Sequence, residues 1–228
     1  MSKNWSTQQN EIFSWFRGER AESNLVVRAR AGTGKTTTIV EAIRYAPEGR
    51  ILLAAFNKMI AEEVNSRLAN PAAEAKTLHA VGFAAVRRYA NVRIDSVNGR
   101  RADDLAKAAA PAAPPAILTL IANLHTKARE IVPLAVEPAD VRDLAIEFDL
   151  VPDEEWSSEG FDLFYVCDAA VRAMQIAEDT KPVNGIDFAD MIYLPIRKRW
   201  LTPIYDLVVV DEAQDMTIAQ LMIARGVC

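Results

Sequence analysis

The sequence is poor in cysteine. Cys167 and Cys228 are the only two in 228 residues, and no CxxC pair occurs. This excludes a disulfide framework and the usual zinc-ligand spacing, and it fits a reducing cytosol. A basic excess is missing as well: 26 Lys and Arg stand against 31 Asp and Glu, a formal charge of −5. No global positive field advertises nucleic acid, although a net charge does not preclude a local basic groove. Long apolar runs are absent. The most apolar stretches are short or broken by proline, so none spans a bilayer and no membrane partner is expected. The first ten residues, MSKNWSTQQN, are polar and lack the apolar core of a signal peptide. The expected class is a soluble cytoplasmic protein. What remains is ordinary globular material, 50% hydrophobic and 25% charged, enough for one domain or a domain with an insertion.

Apolar runs alternate with helical patterns in the first third. NLVVRA (24–29), RILLAAF (50–56) and EAKTLHA (74–80) read as strands. Between the last two, Ile60, Val64 and Leu68 fall on one helical face. Such alternation predicts a parallel sheet covered on both faces. The middle differs. Ile117, Leu120, Ile121 and Leu124 form one amphipathic stripe. Val141, Leu144, Ala145 and Phe148 form a second, and Phe164, Cys167, Val171 and Met174 a third. No strand alternation is visible from about Val92 to about Thr180, so this region reads as an all-helical insertion. YDLVVVD (205–211) is a buried-strand run that resumes the α/β layer. The expected domain division is 1–92, 93–180 and 181–228.

ARAGTGKTTT (29–38) follows the first apolar run and opens a helix. Gly32 and Gly34 permit positive φ and close backbone approach. Ala31, Gly32, Thr33, Gly34, Lys35, Thr36 and Thr37 then form the expected phosphate cradle at a helix N-terminus. Lys35 supplies charge for the β- and γ-phosphates of ATP, and Thr36 a hydroxyl for Mg²⁺. The strict GxxxxGKT pattern has Gly where this chain has Ala29. VVVDEAQD (208–215) is the natural partner. It delivers Asp211 to the carboxyl end of a strand, where open α/β sheets bind ligands. Asp211 is expected to hold Mg²⁺ through water, and Glu212 to orient and deprotonate the attacking water. Two adjacent carboxylates alone read as a solvated strand end; Lys35 and Thr36 give them a task.

These motifs, in this order, resemble the first motor domain of UvrD/Rep-type superfamily 1 DNA helicases, closest to the phage and F-box helicase branch. The resemblance implies a P-loop NTPase (RecA-like) α/β fold carrying an inserted helical subdomain. STQQNEIF resembles the motif whose glutamine recognises adenine, with Gln9 better aligned than Gln8. The family's phosphate loop often has Ala at the position of Ala29. AAFNKMIAEEVNSRL resembles a motif that contacts single-stranded DNA through Phe56, Asn57 and Lys58. KTLHAVGFAAVRR resembles another, with Thr77 and His79 in the matching places. DFADMIYLPI resembles the motif before the metal strand. DEAQD adds Gln214, which by resemblance couples nucleotide state to DNA grip, and Gln220 follows. The family chemistry needs stacking surfaces for unpaired bases, and Phe56 at a strand end suits that. Taken alone, Phe56 reads as a core aromatic and His79 as a structural histidine. His125 lacks motif context and is read as structural. Arg87–Arg88 and Arg197–Arg199 read as solvated helix faces.

By the same resemblance, a strand with a γ-phosphate-sensing glutamine and a second motor domain follow the metal strand. The expectation is therefore a truncated motor that binds ATP but hydrolyses it slowly, since arginine stabilisation is worth about 10³–10⁵ in rate. The strand after the metal strand would insert between it and the phosphate-loop strand, so residues 25–28 and 207–210 would flank an empty slot. The whole enzyme is expected to move 3′ to 5′ on single-stranded DNA. Two other readings stand beside it: a non-catalytic DNA- or partner-binding module, and a nucleotide kinase. DEAQD and FNK argue against the kinase.

Overall fold

A computed structural model of the chain describes residues 4–18, 24–30, 32–90, 97–179 and 185–228. Two compact units result. The first is Met1–Thr77 with Pro203–Asp215 and Val227–Cys228; the second is Leu78–Thr202 with Met216–Gly226. The expected boundaries near 92 and 180 fall on residues 91–96 and 180–184, outside the described residues.

The first unit holds α1 (Thr7–Phe16), α2 (Lys35–Ile43), β1 (Ile51–Ala55), α3 (Lys58–Asn65), β2 (Ala73–Thr77) and β3 (Leu207–Val210). The three strands form one parallel sheet in the order β2-β1-β3. β1 is central and buried at all five positions, as its unbroken apolar run requires. Ile51 pairs with Ala73 on one side and Leu207 on the other. Because all three strands point one way, Phe56, Thr77 and Asp211 come out at the same carboxyl edge. Phe13, Phe16, Val40, Ile43 and Leu53 form the core.

NLVVRA, expected as a strand, is not one. Residues 24–30 have no regular structure, and Val26 is 77% exposed. A β-branched run becomes a strand only where a neighbour offers a ladder. β3 pairs only with β1, and residues 24–30 stand off from its other edge. The segment instead lines, together with β3, a cavity of about 1460 Å³.

The second unit is helical: α4 (Leu78–Tyr89), α5 (Arg101–Ala109), α6 (Pro115–Ile131), α7 (Pro138–Glu147), α8 (Glu154–Ser158), α9 (Leu163–Ala177), α10 (Phe188–Arg197) and α11 (Ile218–Gly226). An isolated parallel bridge joins Val97 and Ile186. α9 packs against α5, α6 and α7. Its buried face carries Ala169, Ala170, Ala173 and Ala177, whose small side chains let neighbours approach closely. The stripe expected on α9 is corrected at one end: Phe164 is 69% exposed, and the buried face begins at Val166.

A charged network lies inside this unit. Arg129, fully buried, donates from Nη1 to Asp190 Oδ1 at 2.7 Å and from Nη2 to Asp187 Oδ2 at 2.7 Å. Arg101 Nε donates to Asp190 Oδ2. Asp187 and Asp190 also form the capping box of α10. Burial pushes the Asp187 carboxyl up, but the Arg129 charge and hydrogen bonds outweigh it and hold it below the usual range. His125 is buried beside this network, its Nε2 donating to the Ala102 carbonyl at 2.9 Å. Its structural reading agrees with that geometry. No helix among the described residues is long and apolar enough to cross a membrane.

Candidate functional site

The site grows from the start of α2. Gly32 and Gly34 have φ of 78° and 79°, which an L side chain rarely adopts. Open space surrounds both, so backbone conformation rather than crowding selects glycine. Gly34 is the N-cap of α2 and gives it no side-chain cap. The first-turn N–H groups of α2 therefore remain available to an anion.

β3 brings the carboxylates to this helix end. Asp211 is tied back to β1 by its N–H, which donates to the Ala54 carbonyl at 3.2 Å. Thr36 Oγ1 donates to Asp211 Oδ2 at 3.1 Å. Lys35 Nζ lies 3.1 Å from Glu212 Oε1. Gln214 Nε2 donates to Glu212 Oε2 at 2.6 Å and to Asp215 Oδ2 at 3.2 Å. The Gln214 hydrogen bond, then Lys35, hold the Glu212 carboxyl below its ordinary value. Glu212 also has φ of 51°, in the left-handed region that glycine prefers. Such strain persists where surroundings over-determine a residue, and it clusters at functional sites.

These groups fit a nucleotide polyphosphate with Mg²⁺. The amine and uncapped N–H groups suit phosphate oxygens, and Thr36 with Asp211 offers hard oxygen ligands. No group of three or more His, Cys, Asp or Glu among the described residues is arranged to hold a metal. Mg²⁺ at Thr36 and Asp211 would take its other ligands from phosphate and water, as this ion usually does.

A family model described as an AAA domain matches residues 14–225. The chain belongs to the AAA domain family. This AAA domain occurs in UvrD/Rep-like helicases, and it makes the chain a nucleotide-binding, helicase-type P-loop motor domain. Comparison with curated proteins gave no match.

In this AAA domain the side chain of Gln9, expected to recognise adenine, is held at both ends. Its Oε1 accepts from the Ser6 N–H at 2.9 Å, and its Nε2 donates to Thr38 Oγ1 at 2.8 Å. Thr38 Oγ1 in turn donates to the Gly34 carbonyl at 3.0 Å. The glutamine is thus wired to the helix that follows the phosphate loop. Gln8 is exposed and lines the same cavity as Lys35 and Asp211. Thr38 and Ser6 escaped the sequence reading. The signal for Ser6 was legible, since S-x-x-Q before a helix is a capping box. Arg67 was also missed: its Nη2 donates to Thr37 Oγ1 at 3.2 Å, and no local pattern announces a contact across that separation. Thr33 Oγ1 donates to the Arg30 carbonyl at 2.8 Å and closes the loop. Ala31 lies outside the described residues.

The residues matched to DNA motifs fall in both units. In the first, Phe56 is 55% exposed. Asn57 caps α3 by accepting from the Ile60 N–H at 2.9 Å. Lys58 pairs with Glu62 at 3.6 Å across an exposed helix turn, a weak tie that leaves its amine near water. Thr77 closes β2. His79 belongs to the second unit, on the first turn of α4. Burial holds its imidazole below the ordinary histidine value, which favours the neutral ring.

Proposed function

We propose that this chain is the ATP-binding motor portion of an ATP-dependent helicase or translocase acting on single-stranded DNA, the whole enzyme moving 3′ to 5′. One observation carries the catalytic half. The sheet and α2 bring Lys35 and Thr36 against Glu212 and Asp211, from opposite ends of the chain. In this reading Lys35 holds the β- and γ-phosphates of ATP, and Thr36 and Asp211 hold Mg²⁺. Glu212 takes a proton from the attacking water as the terminal phosphate departs. Gln214, bonded to Glu212, reports on that carboxylate to the DNA-binding edge. Residues 93–180 act as the family's inserted helical subdomain.

The DNA half rests on the resemblance and on exposure. Phe56 offers a ring face at the same sheet edge as Asp211, and an unpaired base stacks there. ATP affinity in Mg²⁺ tests the first half. Lys35→Ala should weaken it about 10- to 100-fold, the range of charge-assisted hydrogen bonds to phosphate. Equal affinity in the two proteins would sink the assigned site. Phe56→Ala should weaken single-stranded DNA binding while leaving ATP affinity alone. DNA binding indifferent to that change would favour the non-catalytic module.

A further inference from the structure

α4 and α10 run side by side in the same direction. Gly82 lets them approach, because any Cβ there would collide with the Met191 carbonyl. Their carboxyl ends meet where Tyr89 and Trp200 stack, ring centroids 6.5 Å apart and planes at 24°. α10 stops there in a Schellman turn. The Trp200 N–H donates to the Pro195 carbonyl at 2.9 Å, and the Arg199 N–H to the Ile196 carbonyl at 3.2 Å. The turn lays Trp200 against the helical core, and Tyr89, 40% exposed, rests on it.

The same turn puts Arg199 where glycine usually stands, with φ of 54°. Its side chain is exposed, so no core contact explains an arginine there. Glycine would adopt that backbone freely, so the side chain is kept at a cost to stability. Glu178 takes two other cations of this end, Arg197 at 2.6 Å and Lys198 at 3.2 Å. The exposed side chains of Arg199 and Arg88 make no ion pair or hydrogen bond with any described residue. Helix carboxyl ends favour cations, but that does not account for one placed on strained backbone.

We propose that the joined carboxyl ends of α4 and α10 form a second nucleic-acid contact, in which Arg88 and Arg199 hold phosphates and the exposed face of Tyr89 receives a base. The proposal rests on the single-stranded DNA reading above and adds a site at the far end of the helix that carries His79. His79 and Arg88 are nine residues apart on α4, about 14 Å of helix, so the two ends touch different nucleotides. Exposed arginines attract phosphate without sequence choice, and an aromatic face admits any base. Trp200 fixes the Tyr89 ring beforehand, so little is lost in ordering it.

Anisotropy of the full chain with fluorescent oligothymidylate, read beside thermal unfolding, tests this. Arg199→Gly should raise the thermal midpoint, because the strain is relieved, and yet weaken binding about 2- to 5-fold, the range of one exposed charge pair. Adding Arg88→Gln should weaken it again by a similar factor. The slope of log affinity against log salt should fall by about 0.7 for each cation removed. Arg199→Lys should keep the slope. A lowered midpoint in Arg199→Gly overturns the proposal, since the arginine would then be a structural cap. Binding weakened by Phe56→Ala but not by the double variant overturns it and leaves the DNA reading standing. An oligoglutamate probe that binds wild type and not the double variant overturns it in favour of an acidic protein. No wild-type binding of oligothymidylate overturns this proposal and the DNA reading together.

Discussion

Lys35 and Glu212 hold each other, amine to carboxylate at 3.1 Å, before either has a phosphate or a water to act on. A phosphate entering the cradle competes for the amine. Glu212 is then left to Gln214, whose hydrogen bond already keeps it ionised.

Glu212→Gln should therefore bind ATP within a few-fold of wild type and lose about 10²–10⁴ in turnover, the usual worth of a general base. The carboxyl sits below its ordinary value of about 4.3, so it should impose no acid limb on turnover above about pH 5. Gln214→Ala removes the leading cause of that shift and should move any acid limb upward. ATP affinity and turnover as functions of pH check both statements. Unchanged turnover in Glu212→Gln would remove this residue from the chemistry.

Gly82→Ala should lower the thermal midpoint. An open helical glycine gains about 0.5–1 kcal/mol on becoming alanine. Here the new Cβ meets the Met191 carbonyl, which is backbone and yields poorly. Overpacking costs about 1–3 kcal/mol, so the sign should reverse. A raised midpoint would mean that α4 and α10 separate freely.

His125 should make stability pH-dependent. Burial, then the nearby Arg129 charge, push its imidazole down to about 3, with Asp187 and the Ala102 carbonyl working the other way and Arg101 adding to the downward push. The folded value lies below the unfolded one, so the unfolded chain binds the extra proton. Stability present above about pH 6.5 is lost as pH falls, by about 2 kcal/mol at pH 5. Denaturant midpoints at pH 7 and pH 5 should differ more for wild type than for His125→Gln. Equal differences would show that the imidazole titrates freely.

Arg129→Met should destabilise by about 3–5 kcal/mol, because it leaves Asp190 buried beside only Arg101. Adding Asp190→Asn should recover part of that loss. Chemical denaturation of the single and double variants measures the coupling. Independent, additive effects would contradict a shared network.

The parts legible in the sequence were those with local signatures. RILLAAF and LVVV became β1 and β3, since apolar runs between polar turns have one good solution. Lys35 and Asp211 were readable from motif spacing, and the structure brings them to one place. NLVVRA failed because a strand depends on its neighbour as much as on its own residues. Phe164 failed because periodicity marks a face without saying where packing begins. Arg67 against Thr37 and Gln9 against Thr38 depend on tertiary placement, which no local pattern encodes.

The Arg101–Asp190–Arg129–Asp187 network also constrains the order of events in synthesis. The two arginines precede their main partner Asp190 by 89 and 61 residues. Until that later segment leaves the ribosome, both guanidinium groups have to stay in water, since burying them unpaired is prohibitive. α5 and α6 then emerge as helices that cannot close their own interface until α10 follows them. Pulsed hydrogen exchange during refolding should find α5 and α6 protected no earlier than α10.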